Sequence, residues 1–580
     1  MSSPRKRIHC RPLPETLPSL NTDLHPVLAR IYAARKISDR RQLEKGLQQL
    51  HPTDNIKGMT DAVALLAQAV EAGRRMLIVG DFDADGATSS AVAVNALRAM
   101  GAGHVDFLVP NRFEYGYGLT PEIVAVAAQK APDVIVTVDN GIASIAGVAA
   151  AKALGLTVIV TDHHLPGQQL PAADAIVNPN QPGCDFPSKH LAGVGVIFYV
   201  MLALRAALRD SGWFDRRSQE PPNLAQLLDL VALGTVADVV PLDHTNRILV
   251  AQGLARIRRG VCNEGIRALF EVAGRNREQA VASDLGFVVG PRLNAAGRLE
   301  DMSIGIRCLL SDQRAEAMGL AQQLDRLNRE RRTIEDGMRE QAMAHLEQLQ
   351  MDDGAGLPTG LCLFDQDWHQ GVIGILASRI KERFHRPVIA FAQVSDDEVK
   401  GSARSVSGFH IRDGLDAVAT RNPGLITKFG GHAMAAGLSL KLDRLEEFQA
   451  AFDEEACRHL SDEDLQEVIY SDGQLASHEL SMELAEQLRH GGPWGQGFPE
   501  PLFDGEFVVV QRRIVGERHL KLLLQTPDRT RHVDAIAFNT VDSDWPTQVE
   551  QVRVAYQLDV NEFRGERNVQ LLVQYIEPCV

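Results

Sequence analysis

The sequence predicts an α/β protein with a parallel-sheet domain, a long connector helix, a second α/β domain and a C-terminal β-barrel. Short apolar runs alternate with helix-length segments from about residue 60 to 240, which indicates βαβ units and a parallel sheet. Residues 311–351 contain few helix breakers and much Arg, Glu, Gln and Leu, as expected for one long helix. The last part of the chain has short alternating strands separated by polar turns, which is typical of a small barrel.

Length and composition agree with several domains of this kind. A chain of 580 residues is too long for a single core. Hydrophobic residues make up 45% of it but aromatic residues only 5%, which suits helices packed on a parallel sheet better than an all-β protein. The break "DDGAGLPTG" and the acidic stretch at 453–467 mark boundaries. The predicted parts are residues 1–60, 61–310, 311–351, 352–455 and 456–580.

The elements follow from the periodicity of the apolar residues. In the first α/β region we predict helices at 61–72 and 89–100 and in "PEIVAVAAQK" and "IAGVAAAKALG", with strands in "MLIVG", "VDFLVP", "VIVTV" and "TVIVT". In the second we predict the strand "LCLF", a helix at 372–384 and the strand "PVIAF". The barrel strands lie in "FDGEFVVVQRRIVGERHLKLLLQ", "HVDAIAF", "VRVAYQLDVNEF" and "NVQLLVQYI". An oligonucleotide-binding (OB) fold is the leading candidate for this barrel.

Cysteine usage and hydropathy predict a cytoplasmic protein. The seven cysteines are scattered and form no CxxC pair, which fits reduced thiols. No apolar run reaches the ~20 residues that a membrane span needs, and the basic start "MSSPRKRIHCRPLP" lacks the apolar segment of a secretory signal. The net charge of −15 argues mildly against a polyanionic partner. Clustered metal-binding carboxylates would contribute to that charge, so the local distribution must decide.

Polar residues that could bind metal follow three predicted strands. In an open parallel sheet, binding sites form just beyond the carboxyl ends of the strands. We therefore expect the acids and imidazoles at these strand ends, and a fourth acid after an apolar segment, to converge in one crevice: Asp81, Asp83 and Asp85; Asp139; Asp162, His163 and His164; and Asp238.

A single Asp after a strand is more often a turn former or a helix N-cap. The coincidence of three such strand ends with a His pair favours a metal site instead. Carboxylates with one or two imidazoles favour Mn²⁺ or Mg²⁺. If the loop is extended, with Gly86 turning the backbone, Asp83 and Asp85 would offer carboxylates to two ions. Asp139 would bridge the ions, as in two-metal phosphoryl chemistry.

These residues also carry a family resemblance. "GDFDADGATSS", "TVDNGI", "TDHHLP" and "GTVADVVPL" resemble the four motifs of the DHH phosphoesterase superfamily. The second α/β region resembles the DHHA1 domain that follows DHH domains. Over nearly the whole chain, the sequence resembles the bacterial RecJ exonucleases of γ-proteobacteria, on the motifs "PNRFEYGYGLT", "VNPNQPGCDFPSKHLAGVGV", "GPRLNAAGRL", "GSARSVSGFHI", "FGGHAMAAG" and "GPWGQGFPEPLF".

The resemblance implies roles for individual residues. It implies that the metal ligands are Asp83, Asp85, Asp139, His163 and Asp238, with Asp81 either a ligand or a hydrogen-bond partner of one. His164 would lie beside the scissile phosphate, so the expected catalytic residues are His163, His164 and Asp139. Asp162 is expected to orient an imidazole or the turn. Residues expected to bind DNA or its 5′-phosphate are Arg112, Arg292, Arg298, Ser402, Arg404 and His432.

Simpler interpretations of the DNA-binding residues remain open. The small residues of "GGHAMAAG" could serve tight helix–strand packing, and each Arg could form an ordinary ion pair.

The expected function is a metal-dependent 5′→3′ exonuclease. It would degrade single-stranded DNA to 5′-mononucleotides with two divalent ions, in DNA recombination and repair. The resemblance implies a single-strand-binding protein and a DNA helicase as partners. One alternative is a DHH phosphodiesterase that acts on short oligonucleotides or cyclic dinucleotides. Another is a catalytically inactive DNA-binding scaffold.

Overall fold

The computed structural model describes residues 6–18, 20, 24–111, 118–353, 357–516, 519–538, 540, 549–563 and 565–579. The chain forms two compact units. The first unit comprises residues 15–329 and 489–500, and the second comprises residues up to 14, 330–488 and those from 501 onward. Strand β1 (Arg7–Cys10) belongs to the second unit, and helix α1 (Pro26–Ala34) belongs to the first.

A five-stranded parallel sheet lies at the centre of the first unit, with strand order β3-β2-β4-β5-β6. The interior strands are almost wholly buried and apolar, as in sheets covered on both faces. Because β3 and β4 flank β2 on opposite sides, the strand order reverses there and opens a crevice at the carboxyl ends. The elements of this region are α2 (Met59–Glu71), β2 (Arg75–Gly80), α3 (Ala84–Ala99), β3 (His104–Leu108), α4 (Pro121–Ala128), β4 (Val134–Val138), α5 (Ile145–Ala153), β5 (Thr157–Thr161) and β6 (Ala175–Val177).

The predicted helices and strands of this region are confirmed, but the start of α3 and the conformation of the acidic loop were predicted wrongly. The helix begins at Ala84, not near residue 89, because the Asp83 carboxylate caps it by accepting hydrogen bonds from the Asp85 and Gly86 amides. Gly86 therefore lies within the helix and does not turn an extended chain. A Cβ at Gly86 would lie 2.4 Å from the Asp81 carbonyl oxygen, so close packing explains the glycine.

Eight further helices, α6 to α13, follow β6 in the described part of the first unit, and the periodicity did not predict them individually. Helices α6 and α8 pack against α3, and a π-helical turn, Leu285–Val289, precedes α12. Asp238 is at the C-cap of α8. The helices are α6 (Gly193–Asp210), α7 (Trp213–Arg216), α8 (Leu228–Ala237), α9 (His244–Arg259), α10 (Glu264–Val272), α11 (Ala282–Asp284), α12 (Gly290–Leu299) and α13 (Ser303–Leu310).

The predicted connector is confirmed as the single helix α14 (Arg314–Asp353). The second unit then forms a mixed sheet with order β10-β11-β9-β8-β7, in which only β7 and β8 are parallel. The "GGHAMAAG" segment lies in the β10–β11 hairpin, and both of these strands contact α16, so the helix–strand packing interpretation stays open. The elements are β7 (Leu361–Asp365), α15 (Ile373–Phe384), β8 (Val388–Gln393), β9 (Glu398–Arg404), α16 (Ile411–Arg421), β10 (Lys428–Gly431), β11 (Ala435–Lys441), α17 (Leu445–His459), β12 (Val468–Ser471) and α18 (Met482–Gly491).

A closed five-stranded barrel at the end of the chain confirms the predicted OB-like architecture. Its strand order is β13-β14-β15-β17-β16, and only the β15–β17 pair is parallel. Strand β1 pairs in parallel with β12, which the sequence did not predict. Every helix in the described part of the chain is too short or too polar to span a bilayer. The barrel strands are β13 (Phe503–Val515), β14 (His519–Gln525), β15 (His532–Ala537), β16 (Gln551–Phe563) and β17 (Glu566–Pro578).

Candidate active site

The loop after β2 places three carboxylates at the mouth of the crevice. Asp81 and Asp85 are almost fully buried, and Asp83 is half-buried. The backbone holds the loop in place, because the Phe82 amide donates to Asp81 Oδ1 at 2.7 Å. From α12, the Asn294 side-chain oxygen accepts a hydrogen bond from the Ala84 amide at 2.8 Å. Hydrogen bonds within the loop and from α12 therefore fix its conformation in this structure.

The N-terminus of α6 binds the Asp85 carboxylate. The Gly193 amide donates to Asp85 Oδ2 at 2.7 Å, and the Val194 amide donates to Oδ1 at 2.9 Å. The helix dipole adds to this stabilisation of the charged form. A Cβ at Gly193 would lie 2.6 Å from Asp139 Oδ1. Glycine at this position therefore allows α6 to begin against both carboxylates.

Asp139 and His163 connect the ends of β4 and β5. The Asp139 amide donates to the Thr161 carbonyl at 3.1 Å, and the residue has φ 61°, in the left-handed region. Such a conformation is unfavourable for a non-glycine residue and is concentrated at functional sites. His163 Nε2 lies 3.2 Å from Asp139 Oδ1, 3.4 Å from Asp238 Oδ2 and 4.0 Å from Asp85 Oδ2. One imidazole thus faces carboxylates from three other segments.

Asp162 orients the turn and the second imidazole, as predicted. Its Oδ1 accepts hydrogen bonds from the amides of His163 and His164 at 2.7 and 3.0 Å. The same oxygen lies 2.8 Å from His164 Nδ1, and Oδ2 accepts from the Ile142 amide at 2.9 Å. Asp162 therefore fixes the orientation of the His164 ring.

Seven predicted metal and catalytic residues meet in this crevice. Their ligand atoms form three overlapping groups, within each of which all atoms lie within 4.8 Å of one another. Asp139 and His163 each belong to two groups, as expected for ligands near a pair of ions. The groups are Asp139, His163 and His164; Asp85, His163 and Asp238; and Asp81, Asp83 and Asp139.

The donor set fits two divalent cations. Carboxylate oxygens with one or two imidazoles are ligands that suit Mn²⁺, and carboxylates suit Mg²⁺. Asp238 Oδ2 is buried, and no group in the described part of the chain donates a hydrogen bond to it. A buried carboxylate oxygen without a donor is costly unless a cation or a proton neutralises it.

Burial and mutual repulsion raise the pKa of three carboxyl groups. Burial, and then the charge of Asp83, raise the pKa of Asp85 to about 7, against the hydrogen bonds from Val194 and Gly193. Burial and the charges of Asp85 and Asp83 raise the pKa values of Asp139 and Asp238 well above the ordinary value. Without cations, the centre therefore retains protons near neutral pH, and binding of a cation must displace them.

His164 has the opposite electrostatic character. Burial lowers its pKa, but the hydrogen bond and charge of Asp162, with the charges of Asp81 and Asp83, outweigh this and raise the pKa to about 9. Burial raises the pKa of Asp162, yet its hydrogen bond and charge interaction with His164 bring that pKa below its usual value. In the metal-free centre, His164 is therefore an imidazolium at neutral pH.

In the second unit, Ser402 and Arg404 lie two residues apart on β9. Arg404 Nη1 donates to Ser402 Oγ at 3.2 Å and to the Ala403 carbonyl at 2.8 Å. Burial lowers the pKa of Arg404, and the described residues place no carboxylate within ion-pair distance of its guanidinium. A Cβ at Gly374 would lie 2.9 Å from Ser402 Oγ, so the start of α15 approaches this pair closely. A guanidinium, a hydroxyl and a helix N-terminus together suit an anion.

The other predicted DNA-binding residues lie in several places. His432 is exposed in the β10–β11 turn of the second unit, where its amide donates to the Ala435 carbonyl. Arg298 lies on α12 of the first unit and is partly exposed. Arg292, on the same helix, is buried; its Nε donates to Asp325 Oδ1 at 2.9 Å and its Nη1 to the Val288 carbonyl. Arg112 lies outside the described residues. The phosphate-binding roles of all four stay predictions.

The comparisons with known proteins agree with this geometry. Residues 75–235 match the DHH family, N-terminal domain; residues 358–456 match the DHHA1 domain; and residues 471–575 match the RecJ OB domain. The single-stranded-DNA-specific exonuclease RecJ of Dickeya dadantii is 57% identical over 567 residues, which cover 98% of this chain and 97% of that protein. The chain belongs to the RecJ family.

Solved RecJ structures support both the fold and the predicted cofactor. RecJ of Thermus thermophilus in complex with Mn²⁺ is 31% identical, with a TM-score of 0.81, and the match covers 99% of this chain and 80% of that one. The complex with Mg²⁺ from the same organism is 30% identical, with a TM-score of 0.75 and coverage of 99% and 79%. The predicted family, fold class and divalent cations are thereby confirmed.

Three supporting contacts were missed by reasoning from the sequence. They are the α6 amides on Asp85, the Asn294 contact to the acidic loop, and two amide side chains behind the His pair. Asn178 Nδ2 donates to the His164 carbonyl at 2.9 Å, and Asn180 Nδ2 donates to the His163 carbonyl at 2.6 Å. All these residues lie in motifs that carried the RecJ resemblance, but the motifs do not indicate which group contacts which.

We predict that Gly193→Ala weakens Mn²⁺ binding, because the new Cβ would displace the Asp139 carboxylate. The expected loss is about 10- to 100-fold, as for other groups that orient metal ligands, and isothermal titration calorimetry measures it. Gly195→Ala is the matched control on the same helix, since its Cβ would meet only the flexible Leu191 side chain, at 3.1 Å. Equal affinities of the two variants would contradict this role of Gly193.

We also predict that Mn²⁺ stabilises the protein more at pH 8 than at pH 6. In the folded protein the pKa of Asp85 is about 7, and in the unfolded chain it is near 3.8. The contribution of this group to the free energy of unfolding is therefore fully present below pH 3.8 and is lost as the pH rises through 7. The metal-free protein should therefore lose stability from pH 6 to pH 8, while the cation competes with fewer protons. Differential scanning calorimetry with and without Mn²⁺ measures both effects. Asp85→Asn should reduce the pH dependence of the melting temperature. If Mn²⁺ raised the melting temperature equally at pH 6 and pH 8, the assignment of Asp85 as a ligand that loses a proton on metal binding would be refuted.

Proposed function

We propose that this chain is a metal-dependent exonuclease that degrades single-stranded DNA from its 5′ end to 5′-mononucleotides. The observation that carries the proposal is the convergence of five carboxylates and two imidazoles at the switch point of a parallel sheet, in a chain of the RecJ family. The RecJ relatives are named as single-stranded-DNA-specific exonucleases, and the OB-like barrel supports the same substrate.

The proposed ligands of two divalent ions are Asp83, Asp85, Asp139, His163 and Asp238, with Asp139 shared between the ions and Asp81 a ligand or a hydrogen-bond partner. When bound, such a pair supplies positive charge to both the attacking and the leaving oxygen of a phosphodiester. The α6 amides orient Asp85. His163 is held by the turn that Asp162 and Asn180 fix.

His164 is proposed to contact the scissile phosphate. Asp162 holds Nδ1 of the imidazole, and its charge favours the protonated ring. Nε2 can then donate a hydrogen bond to a non-bridging phosphate oxygen. A charge-assisted bond of this kind strengthens as negative charge develops in the transition state. His163 and Asp139, the other predicted catalytic residues, act through the ions that they hold.

A pocket for the terminal phosphate would explain the 5′ polarity. Ser402, Arg404 and His432 are the proposed ligands, supported by the Arg404 guanidinium beside the start of α15. Arg112, Arg292 and Arg298 remain proposed phosphate contacts. A strand held by its 5′-phosphate would lose nucleotides from that end, one at a time.

The wider biological assignments belong to the same proposal and rest on the resemblance. We propose a cytoplasmic enzyme of DNA recombination and repair, supported by seven cysteines that form no disulfide. A single-strand-binding protein and a DNA helicase are the proposed partners. We also propose the five predicted parts as the domain division. In this division, residues 61–310 form the catalytic domain and residues 456–580 bind the single strand.

The decisive test follows both ends of one DNA strand. With Mn²⁺, the purified protein should release 5′-mononucleotides from 5′-labelled single strands and leave blunt duplex intact. A 5′-phosphate should accelerate release over a 5′-hydroxyl, and Arg404→Ala should reduce that preference about tenfold, because a charge-assisted contact to the phosphate is lost.

Asp139→Asn is the inactive control for this assay. Release only from 3′ ends would contradict the proposed polarity. Faster turnover of dinucleotides than of long strands would favour the short-oligonucleotide phosphodiesterase. DNA binding without any release in Mn²⁺ or Mg²⁺ would identify an inactive scaffold.

A further inference from the structure

Three exposed apolar side chains of the first unit lie next to residues of the metal centre, in sequence or on a turn that packs against α8. Phe287 is the most exposed large apolar side chain in the described part of the chain, at 77%. Val239 directly follows Asp238, and Leu165 directly follows His164; each is 63% exposed. Single exposed apolar residues are common on protein surfaces. Here two of them follow proposed functional residues without a gap, and the third lies on the adjoining turn.

Phe287 is displayed by an unusual backbone. It lies in the π-helical turn Leu285–Val289, a form that is rare and occurs mostly at functional sites. The turn packs on the last turn of α8, since a Cβ at Gly286 would lie 3.3 Å from Val236 Cγ1 and a Cβ at Gly290 would lie 3.1 Å from Ala237 Cβ. Phe287 is therefore presented next to the segment that ends in Asp238.

Val239 provides an independent observation at the same place. Its φ is 62°, a left-handed conformation that is a genuine outlier for a β-branched residue. Strained residues of this kind persist where the surrounding structure over-determines them, typically at ligand sites. The strained backbone carries an exposed apolar side chain directly after Asp238. Asn or Gly would adopt the same left-handed conformation at a lower cost.

Arg292 holds the π-helical turn in position. Its Nη1 donates to the Val288 carbonyl at 2.7 Å, while its Nε is bonded to Asp325 on α14. The turn that carries the aromatic side chain is therefore anchored, so that little backbone entropy would be lost when a ligand packs on it.

We propose that Phe287, together with Val239 and Leu165, binds a nucleobase of the strand whose phosphate lies in the metal centre. We call these three side chains the apolar rim. The inference rests on the proposed function and identifies where the base attached to the reacting nucleotide packs. The acids and their ions take the phosphate, and an apolar surface beside them suits the neighbouring base.

The apolar rim fits a base better than a protein partner. A stable protein interface needs roughly 1,000 Å² or more of buried surface, and three side chains next to residues of the metal centre supply far less than that. Aromatic stacking accepts every base, because each has a π-face. In a duplex, those faces are already stacked and paired. The rim therefore favours unpaired strands without selecting a sequence.

The test compares two changes that remove the same contact from opposite sides. Phe287→Ala is assayed on a 5′-phosphorylated single strand and on the same strand with abasic residues at its first three positions. Loss of one base–aromatic stack should lower kcat/KM about five- to hundred-fold. For the unaltered protein, the abasic strand should lower kcat/KM by a similar factor. Phe287→Ala on the abasic strand should lower kcat/KM little more than either change alone.

Further variants separate the loss of aromatic stacking from the loss of any exposed apolar side chain and from a loss of stability. Phe287→Trp should retain kcat/KM on the normal strand, and Phe287→Leu should not. Val261→Ala removes another exposed apolar side chain of the first unit, 55% exposed, and should leave kcat/KM unchanged. Since Phe287 is mostly exposed, its removal should leave the melting temperature and its Mn²⁺ shift unaltered.

Two results would overturn the inference and differ in what they say of the proposed function. The apolar rim does not bind a base if Phe287→Ala leaves kcat/KM unchanged, as Val261→Ala should, or if it lowers kcat/KM by the same factor on normal and abasic strands. In either case the exonuclease assignment stands. If the unaltered protein releases no nucleotide from the normal strand, the proposed function and this inference fail together.

Discussion

Mutual repulsion among buried carboxylates is the constraint around which the first unit is built. Asp85 and Asp139 are almost completely shielded from water, so their charges are poorly screened. The fold brings them together despite this cost. It does so by directing two amides of α6 at Asp85 and by using the Asp83 carboxylate as the cap of α3. Burial and the repulsion that remains raise the pKa values of Asp85, Asp139 and Asp238, and divalent cations would neutralise these carboxylates.

The strand-end residues could be predicted because the signal is local. An apolar run of five or six residues followed by Asp or His identifies both a buried strand and what lies beyond it. Parallel pairing then places Asp81, Asp139 and His163 at one edge of the sheet. The barrel and the long connector were predictable for the same reason, since alternation and unbroken helical composition are also local patterns.

Contacts between distant segments could not be predicted in this way. The bond from Gly193 to Asp85 joins residues 108 positions apart, and periodicity carries no information about such a pairing. The acidic loop shows a related limit. Asp83 is a favourable N-cap and Gly86 a plausible turn residue, so the sequence supported both an early helix and an extended loop. The close approach of Gly86 to the Asp81 carbonyl favours the helix.

The net charge of −15 is misleading for a protein of this family. Acids at the metal centre count toward that charge but become favourable for phosphate once cations are present. Arg404 has no carboxylate within ion-pair distance among the described residues, and the apolar rim carries no charge. In the proposed function, the ions would take the reacting phosphate, the Arg404 guanidinium the terminal phosphate, and the apolar side chains the base.

Anomalous scattering from crystals grown with Mn²⁺ tests the central claim most directly. The account predicts two manganese peaks about 3.5–4 Å apart, with Asp139 between them and with His163, Asp83, Asp85 and Asp238 as the remaining protein ligands. Asp139→Asn should lose at least one peak. A single peak away from this crevice, or two peaks that persist unchanged in the variant, would contradict it.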